Sequence, residues 1–294
     1  MEKPHLLLTG YQSAAPVGRL APTPSGYLHL GNAVNFVLTW LLVRRAGGTL
    51  HLRIDDLDRA RLRRPYLENI FRVIDWLGLD YDHGPSGPDD FLRHYSQLLH
   101  LPEYNQVLRR LAQQPGLVYA TRRSRTALAE PVPLTAAGAA WRVRVPADHL
   151  ISTAPAAEPM PLATVMPDFI IRKKDGVAAY QVASVVDDLR LGTTLIVRGL
   201  DLQPSTAAQL WLAAQLTETS AFSTARLHVY HHPLVADATG HKLSKSTQAS
   251  GDGGVLARPG GPAAVYRAVA QVLGLPAEAG ESLPRLRAAI KVVS

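Results

Sequence analysis

The sequence predicts an α/β fold built on a parallel sheet, and three observations carry that expectation. Strand-like and helix-like segments alternate from Val17 onward, the order that parallel strands need because each must be joined to the next by a crossover. A chain of 294 residues, 47% hydrophobic and 19% charged, is long and apolar enough to bury a real core. No apolar run approaches the roughly 20 residues that span a bilayer. The stretch Met1–Gly18 holds only the short Leu6–Leu8 run and lacks a signal-peptide core, so the expectation is a cytoplasmic protein with no membrane partner.

Taken in order, Val17–Ala21 reads as a strand and Asn32–Arg45 as an apolar helix, its basic end at Arg44 and Arg45 suiting the C-terminal dipole. Gly47 and Gly48 stop that helix, and Thr49–Ile54 reads as the next strand. Pro65 opens a helix to Leu77 with Ile70, Val73, Ile74 and Leu77 on one stripe, and Tyr95–Leu111 reads as another helix. Between Ser124 and Pro167 the composition shifts to Ala and Pro, with only Trp141–Val145 strand-like, which marks an insertion. The alternation then returns, with Phe169–Arg172, Thr194–Arg198 and His228–Val235 as strands and Ala178–Asp188 and Pro204–Leu216 as helices. The Gly-rich stretch Ser250–Pro262 reads as a mobile loop, followed by short helices at Ala264–Leu273 and Leu283–Val292. The expected domains are a split nucleotide-binding domain (1–123 and 168–249), a subdomain at 124–167, and a loop with helices at 250–294.

Composition also excludes chemistry. There is no cysteine, which removes disulfides, thiol catalysis and cysteine-ligated zinc together. Lys and Arg outnumber Asp and Glu by 31 to 24, a net charge of +7 that favours an anionic partner without naming one.

Two segments carry the chemistry. In Arg19-Leu20-Ala21-Pro22-Thr23-Pro24-Ser25-Gly26, followed by His29-Leu30-Gly31-Asn32, a strand ends in a constrained turn and a helix begins at Asn32, a good capping residue. A helix N-terminus after the first strand of a parallel sheet suits a phosphate, with His29 as donor and Gly31 admitting close approach. On these residues alone, a tight turn around a hydrogen-bonded histidine explains the segment equally well. The second segment, Gly240-His241-Lys242-Leu243-Ser244-Lys245-Ser246, puts two lysines and two hydroxyls on a loop after a strand. Such a loop can stabilise charge on a phosphate leaving group, although Lys-x-Ser-Lys alone is a common surface string.

Together the two segments resemble the paired signatures of class I aminoacyl-tRNA synthetases, His29–Asn32 the HIGH type and Lys242–Ser246 the KMSKS type. The extended Arg19–His29 segment is similar to the glutamyl and glutaminyl branch. So are Leu52-Arg53-Ile54-Asp55-Asp56-Leu57-Asp58, Trp76–Leu79, Tyr180–Asp188 and Val197–Leu202. Fewer than about fifty residues follow the lysine segment, so the chain resembles the truncated glutamyl-Q tRNA(Asp) synthetase family rather than full glutamyl-tRNA synthetases. The resemblance implies a class I Rossmann-like sheet and a ligase that activates L-glutamate with ATP and Mg2+. It would then esterify queuosine in the anticodon of tRNA(Asp), acting as a monomer. It also implies residue roles: Arg19 and Arg198 on the two carboxylates of glutamate, Ala21 lining the pocket, Thr23 and Asp55 toward the ammonium, and Tyr180 closing it. His29, Gly31, Asn32, Lys242, Ser244 and Lys245 would bind ATP, with His29 and Lys245 acting on its phosphates. Asp187 and Asp188 read as structural. The run Arg59, Arg61, Arg63 and Arg64 is either a solvated face or a contact for the tRNA backbone.

Three departures from the family stand out. Many members hold a cysteine-rich zinc site near the place of Tyr119–Arg125; without cysteine no zinc is expected, and packing around Trp141 is the alternative support. Asp55 replaces the usual glutamate, a carboxylate drawn back by about 1.5 Å, one bond length, which loosens the preference for glutamate over glutamine. Thr23 replaces serine and keeps the hydroxyl. The competing readings are an activating enzyme for another amino acid or acceptor, and a non-catalytic tRNA-binding paralogue.

Overall fold

The structure, a computed structural model, describes residues 15–122, 130–153, 158–235 and 254–290. The elements in order are β1 (Val17–Leu20), α1 (Leu30–Arg45), β2 (Thr49–Leu52), α2 (Arg64–Trp76), α3 (Pro88–Asp90), α4 (Leu101–Ala112), β3 (Val118–Thr121) and β4 (Ala140–Val143). There follow β5 (Leu150–Ile151), β6 (Met160–Pro161), α5 (Leu162–Val165), β7 (Ile170–Arg172), α6 (Tyr180–Arg190), β8 (Leu195–Gly199), α7 (Gln203–Ala213), β9 (His228–His232), α8 (Gly261–Val272) and α9 (Leu283–Ala289). The chain divides into two compact units: Met1–Gln97 with Thr193–Asp201 and Tyr230–Ser294, and Leu98–Gly192 with Leu202–Val229. The subdomain expected at 124–167 lies within the second unit, which extends past it on both sides.

In the first unit the sheet runs β2-β1-β8-β9, with β1 parallel to both β2 and β8. Its two faces differ in chemistry. Paired residues on adjacent strands point the same way, and successive residues alternate. Leu20, Leu50, Leu52, Leu195 and Val197 therefore share one face, and they join the core that contains α1. α1 is apolar nearly all round, buried from Phe36 to Val43, because it packs on this face and against α8. Gly18 makes that contact possible: a Cβ there would lie 2.4 Å from Val43 Cγ2.

The second unit is organised differently from the sequence expectation. The strand read at Phe169–Arg172 does not join the parallel sheet; β7 pairs antiparallel with β4, which pairs antiparallel with β3. Trp141 supports this sheet as expected, its Nε1 donating to Leu134 C=O at 2.9 Å while the Arg172 guanidinium lies 4.8 Å above its ring. Asp168 adds a knot, accepting from Tyr119 Oη at 2.9 Å and from Val145 N–H at 2.8 Å. Asp187, fully buried on α6, accepts from Tyr104 Oη at 2.8 Å and Arg190 Nη2 at 3.0 Å, the structural part read for it.

Two boundaries differ for local reasons. The helix expected from Tyr95 begins at Leu101, because Pro102 in the first turn has no N–H to give and disfavours helix before it. The loop expected through Pro262 lies partly outside the described residues. Its described end is a 3-10 turn at Gly254–Ala257, with Val255 buried, and α8 starting at Gly261.

The packing of β1 on α1 leads to a prediction. Gly18→Ala should cost about 1–3 kcal/mol through overpacking against Val43, read as a lower urea midpoint. An unchanged midpoint would mean that α1 is not seated as described.

Candidate active site

The opposite face of the parallel sheet carries charge. Arg19 pairs with His51 across β1 and β2, and the same alternation puts Arg53 on that side. Extending the Gly18–Leu195 pairing by three residues places Arg198 opposite Ala21, again on the side of Arg19. The guanidinium-bearing residues Arg19, Arg53 and Arg198 are only 5%, 7% and 4% exposed. Arg19 and Arg198 stand on adjacent parallel strands, two residues out of step, so their Cα atoms lie about 8 Å apart. Strand order makes this a switch point, since the chain leaves β1 toward β2 on one side and β8 flanks it on the other. Crevices at the carboxyl ends of such strands are where α/β sheets bind ligands.

The turn after β1 is held to the same edge. Arg53 N–H donates to Leu20 C=O and Asp55 N–H to Pro22 C=O, both at 2.9 Å, so the pairing of β1 with β2 continues to the end of the arginine segment. Ala21 and Thr23 are thereby placed beside Asp55, with Thr23 exposed. Asp55 itself is gripped in a fork: Arg53 Nε donates to Oδ1 at 2.7 Å and Nη2 to Oδ2 at 3.1 Å, with both side chains largely buried. Two parallel charge-assisted bonds hold the carboxylate in one orientation. The next residue, Asp56, is buried and accepts from Ser96 Oγ, Gln97 N–H and Arg59 Nη1 at 2.7, 2.9 and 2.7 Å, which makes it a structural anchor.

His29 is the N-cap of α1. Its Nδ1 accepts from Gly31 N–H at 3.1 Å, and Asn32 Oδ1 accepts from His29 N–H at 3.0 Å, a reciprocal box. An accepting Nδ1 puts the proton of the neutral ring on Nε2, the donor a phosphate oxygen needs. No acidic residue occupies the first turn of α1, which leaves the positive end of the helix dipole unopposed. Gly31 and Asn32 thus have structural duties at the very place where the sequence reading puts ATP.

Histidines flank the charged face. His231, on β9, is pushed down to about 4 by burial, then by the positive charge of Arg198 and by His232. His51 is also lowered, by burial and by His83, whose ring centroid is 4.9 Å away. The His231 ring is thus held neutral beside the Arg198 guanidinium, which cannot lose its charge.

Of the residues singled out from sequence, Arg19, Ala21, Thr23, Asp55, Arg198, His29, Gly31 and Asn32 gather at the carboxyl edge of one sheet and the adjoining helix start. Tyr180 belongs to the second unit, at the first residue of α6, and is 42% exposed. Lys242, Ser244 and Lys245 lie outside the described residues. Sequence reasoning passed over Arg53, although its two-residue spacing from Asp55 in a strand puts both on one face, which was signal enough.

A parallel sheet with buried arginines on its central strands, next to a helix start capped by histidine, defines the fold class as α/β. The chain matches the family described as tRNA synthetases class I (E and Q), catalytic domain, over residues 17–153 and 151–293. It is 38% identical over 265 residues to a glutamyl-Q tRNA(Asp) synthetase of Nitratidesulfovibrio vulgaris, covering 79% of this chain and 78% of that one. A relative of the same name from Symbiobacterium thermophilum is 35% identical over 289 residues, covering 88% and 86%. In fold it is similar to a crystal structure of glutamate-tRNA synthetase from Elizabethkingia anophelis, with a TM-score of 0.73 at 20% identity. That match covers 95% of this chain, which spans 66% of the length of the other, just under two thirds. The chain belongs to the glutamyl-Q tRNA(Asp) synthetase family.

The neutral His231 makes stability depend on pH. An unfolded histidine takes a proton near pH 6.5, while the folded one resists until about 4. Between those values the unfolded chain binds more protons, so stability falls as pH falls, by up to about 3 kcal/mol across the window. His231→Gln should flatten the fall in urea midpoint between pH 6.5 and pH 4.5, and an equally steep fall would show that His231 titrates normally in the folded protein.

Proposed function

We propose that this protein activates L-glutamate with ATP and transfers it to queuosine in the anticodon of tRNA(Asp). The observation that carries the proposal is the pair Arg19 and Arg198, buried on neighbouring strands of one face. Guanidinium forks match carboxylates bidentately, and two of them suit a dicarboxylic amino acid. In this reading Thr23 and the Arg53-held Asp55 meet the substrate ammonium, and Ala21 lines the pocket. A cation beside Asp55 would meet a carboxylate already fixed in place.

The first step joins a carboxylate oxygen of glutamate to the α-phosphorus of ATP and expels pyrophosphate. No general base is needed, because the carboxyl group is ionised near pH 7. Negative charge grows on the leaving group, where His29 Nε2–H and Lys245 would donate, with Lys242, Ser244, Gly31 and Asn32 beside the phosphates. Mg2+ would travel with the triphosphate and help neutralise its charge. In the second step a hydroxyl of the queuosine ring attacks the activated carbonyl, and AMP leaves. The same proposal has the protein working as a cytoplasmic monomer, with Trp141 and Asp168 rather than zinc holding the antiparallel sheet. No helix among the described residues is long and apolar enough to cross a membrane.

ATP–pyrophosphate exchange with glutamate, glutamine and aspartate in parallel tests the proposal, followed by transfer to tRNA(Asp) with and without queuosine. Exchange with glutamate alone and transfer only to the queuosine form are expected. Glutamine-driven exchange would move the specificity, and transfer indifferent to queuosine would move the acceptor. His29→Ala should lower exchange by about 10²–10³-fold, the usual cost of one donor to developing charge.

A further inference from the structure

The position of His29 is controlled from outside its own helix. The peptide joining Leu28 to His29 is held at both ends: Leu28 C=O accepts from Val255 N–H at 2.7 Å, and His29 N–H donates to Asn32 Oδ1 at 3.0 Å. The preceding peptide is held as well, since Leu28 N–H donates to Asn69 Oδ1 at 2.9 Å. Asn69 is an outlier on α2. It is 2% exposed and lies among Leu67, Ile70, Val73 and Ile74 on the apolar side of the helix. An amide buried in such company is costly unless it is used, and the bond to Leu28 is the use. At the Leu28 carbonyl, Gly254 has a left-handed φ of +57°, and a Cβ there would clash with Leu28 C=O. Only glycine lets the Val255 turn come close enough to bond.

We infer that Asn69 is a positioning residue for His29, acting through the Leu28 backbone, and that the Gly254–Val255 turn is its counterpart at the Leu28 carbonyl. The inference rests on the reading of His29 as the donor to ATP. Leu28 N–H and C=O are bonded by α2 and by the turn before α8, neither of which carries a residue assigned to substrate, so the imidazole Nε2 is placed by α1, α2 and that turn acting together. Without Asn69 the Leu28 N–H is left buried and unpaired, and the turn relaxes to satisfy it. A displacement of about 1 Å at a group that must meet a developing charge is enough to slow the reaction about 10²-fold. The glutamate side of the site, set by β1, β2 and β8, does not depend on this contact.

The experiment is steady-state ATP–pyrophosphate exchange, varying ATP and glutamate separately, on Asn69→Leu, Asn69→Asp and Gly254→Ala, each with its melting temperature. ¹⁵N shifts of the His29 ring report its tautomer directly. Asn69→Leu should lower kcat/KM for ATP about 10- to 100-fold, leave KM for glutamate unchanged, and shift the His29 nitrogens. Asn69→Asp, which keeps an acceptor oxygen at the same reach, should recover part of the loss. Should Asn69→Leu fail to fold, Gly254→Ala carries the test, because its methyl pushes on the Leu28 carbonyl and should give the same loss with KM for glutamate unchanged. A folded variant with unchanged exchange kinetics, or with KM for glutamate raised as well, overturns the inference. Unchanged exchange in His29→Ala would instead remove the reading on which it rests.

Discussion

Everything at this site follows from burying arginines on one face of a four-stranded sheet. A guanidinium keeps its charge at any accessible pH, so Arg19, Arg53 and Arg198 enter the protein as cations and must be compensated where they lie. The opposite face of the same strands repays that cost. Leu20, Leu50, Leu52, Leu195 and Val197 pack against an almost wholly apolar α1. The period of two that separates the faces is thus what separates folding from function along β1, β2 and β8. Arg53 is compensated internally by Asp55. Arg19 and Arg198 are as deeply buried on the same face.

The nucleotide side is built on different physics. There the helix dipole supplies the positive potential, and His29, the cap of α1, is proposed as the donor to the phosphates. Its two ring nitrogens divide the work: Nδ1 accepts from Gly31 and fixes the ring, which leaves Nε2 as the donor. Capping and function share one side chain, so changes to the cap are felt in the chemistry.

Much of this was legible in the amino-acid sequence, for reasons that can be named. The apolar run Ala33–Val43, closed by Arg44 and Arg45, could only be a buried helix, and the strand ends at Arg19 and Arg198 followed from short motifs with fixed spacing. What escaped were relations that no local pattern encodes. Asn69 is 41 residues from the backbone it holds, and nothing around it in α2 announces a partner. The strand at 170–172 looked like a return to the parallel sheet because a strand of three residues has no pattern that tells its pairing partner. Pro102 did carry a signal, and the helix expected from Tyr95 ignored it.

The central claim is that Arg19 and Arg198 divide the two carboxylates of one glutamate between them. Calorimetric titration of glutamate and glutamine into the wild type, Arg19→Met and Arg198→Met tests it most directly, because the two ligands differ only at the side-chain carboxylate. One substitution should abolish the preference for glutamate over glutamine, and the other should weaken both ligands by the same factor. If both variants keep the wild-type ratio, the arginines are structural cations and the substrate is held elsewhere.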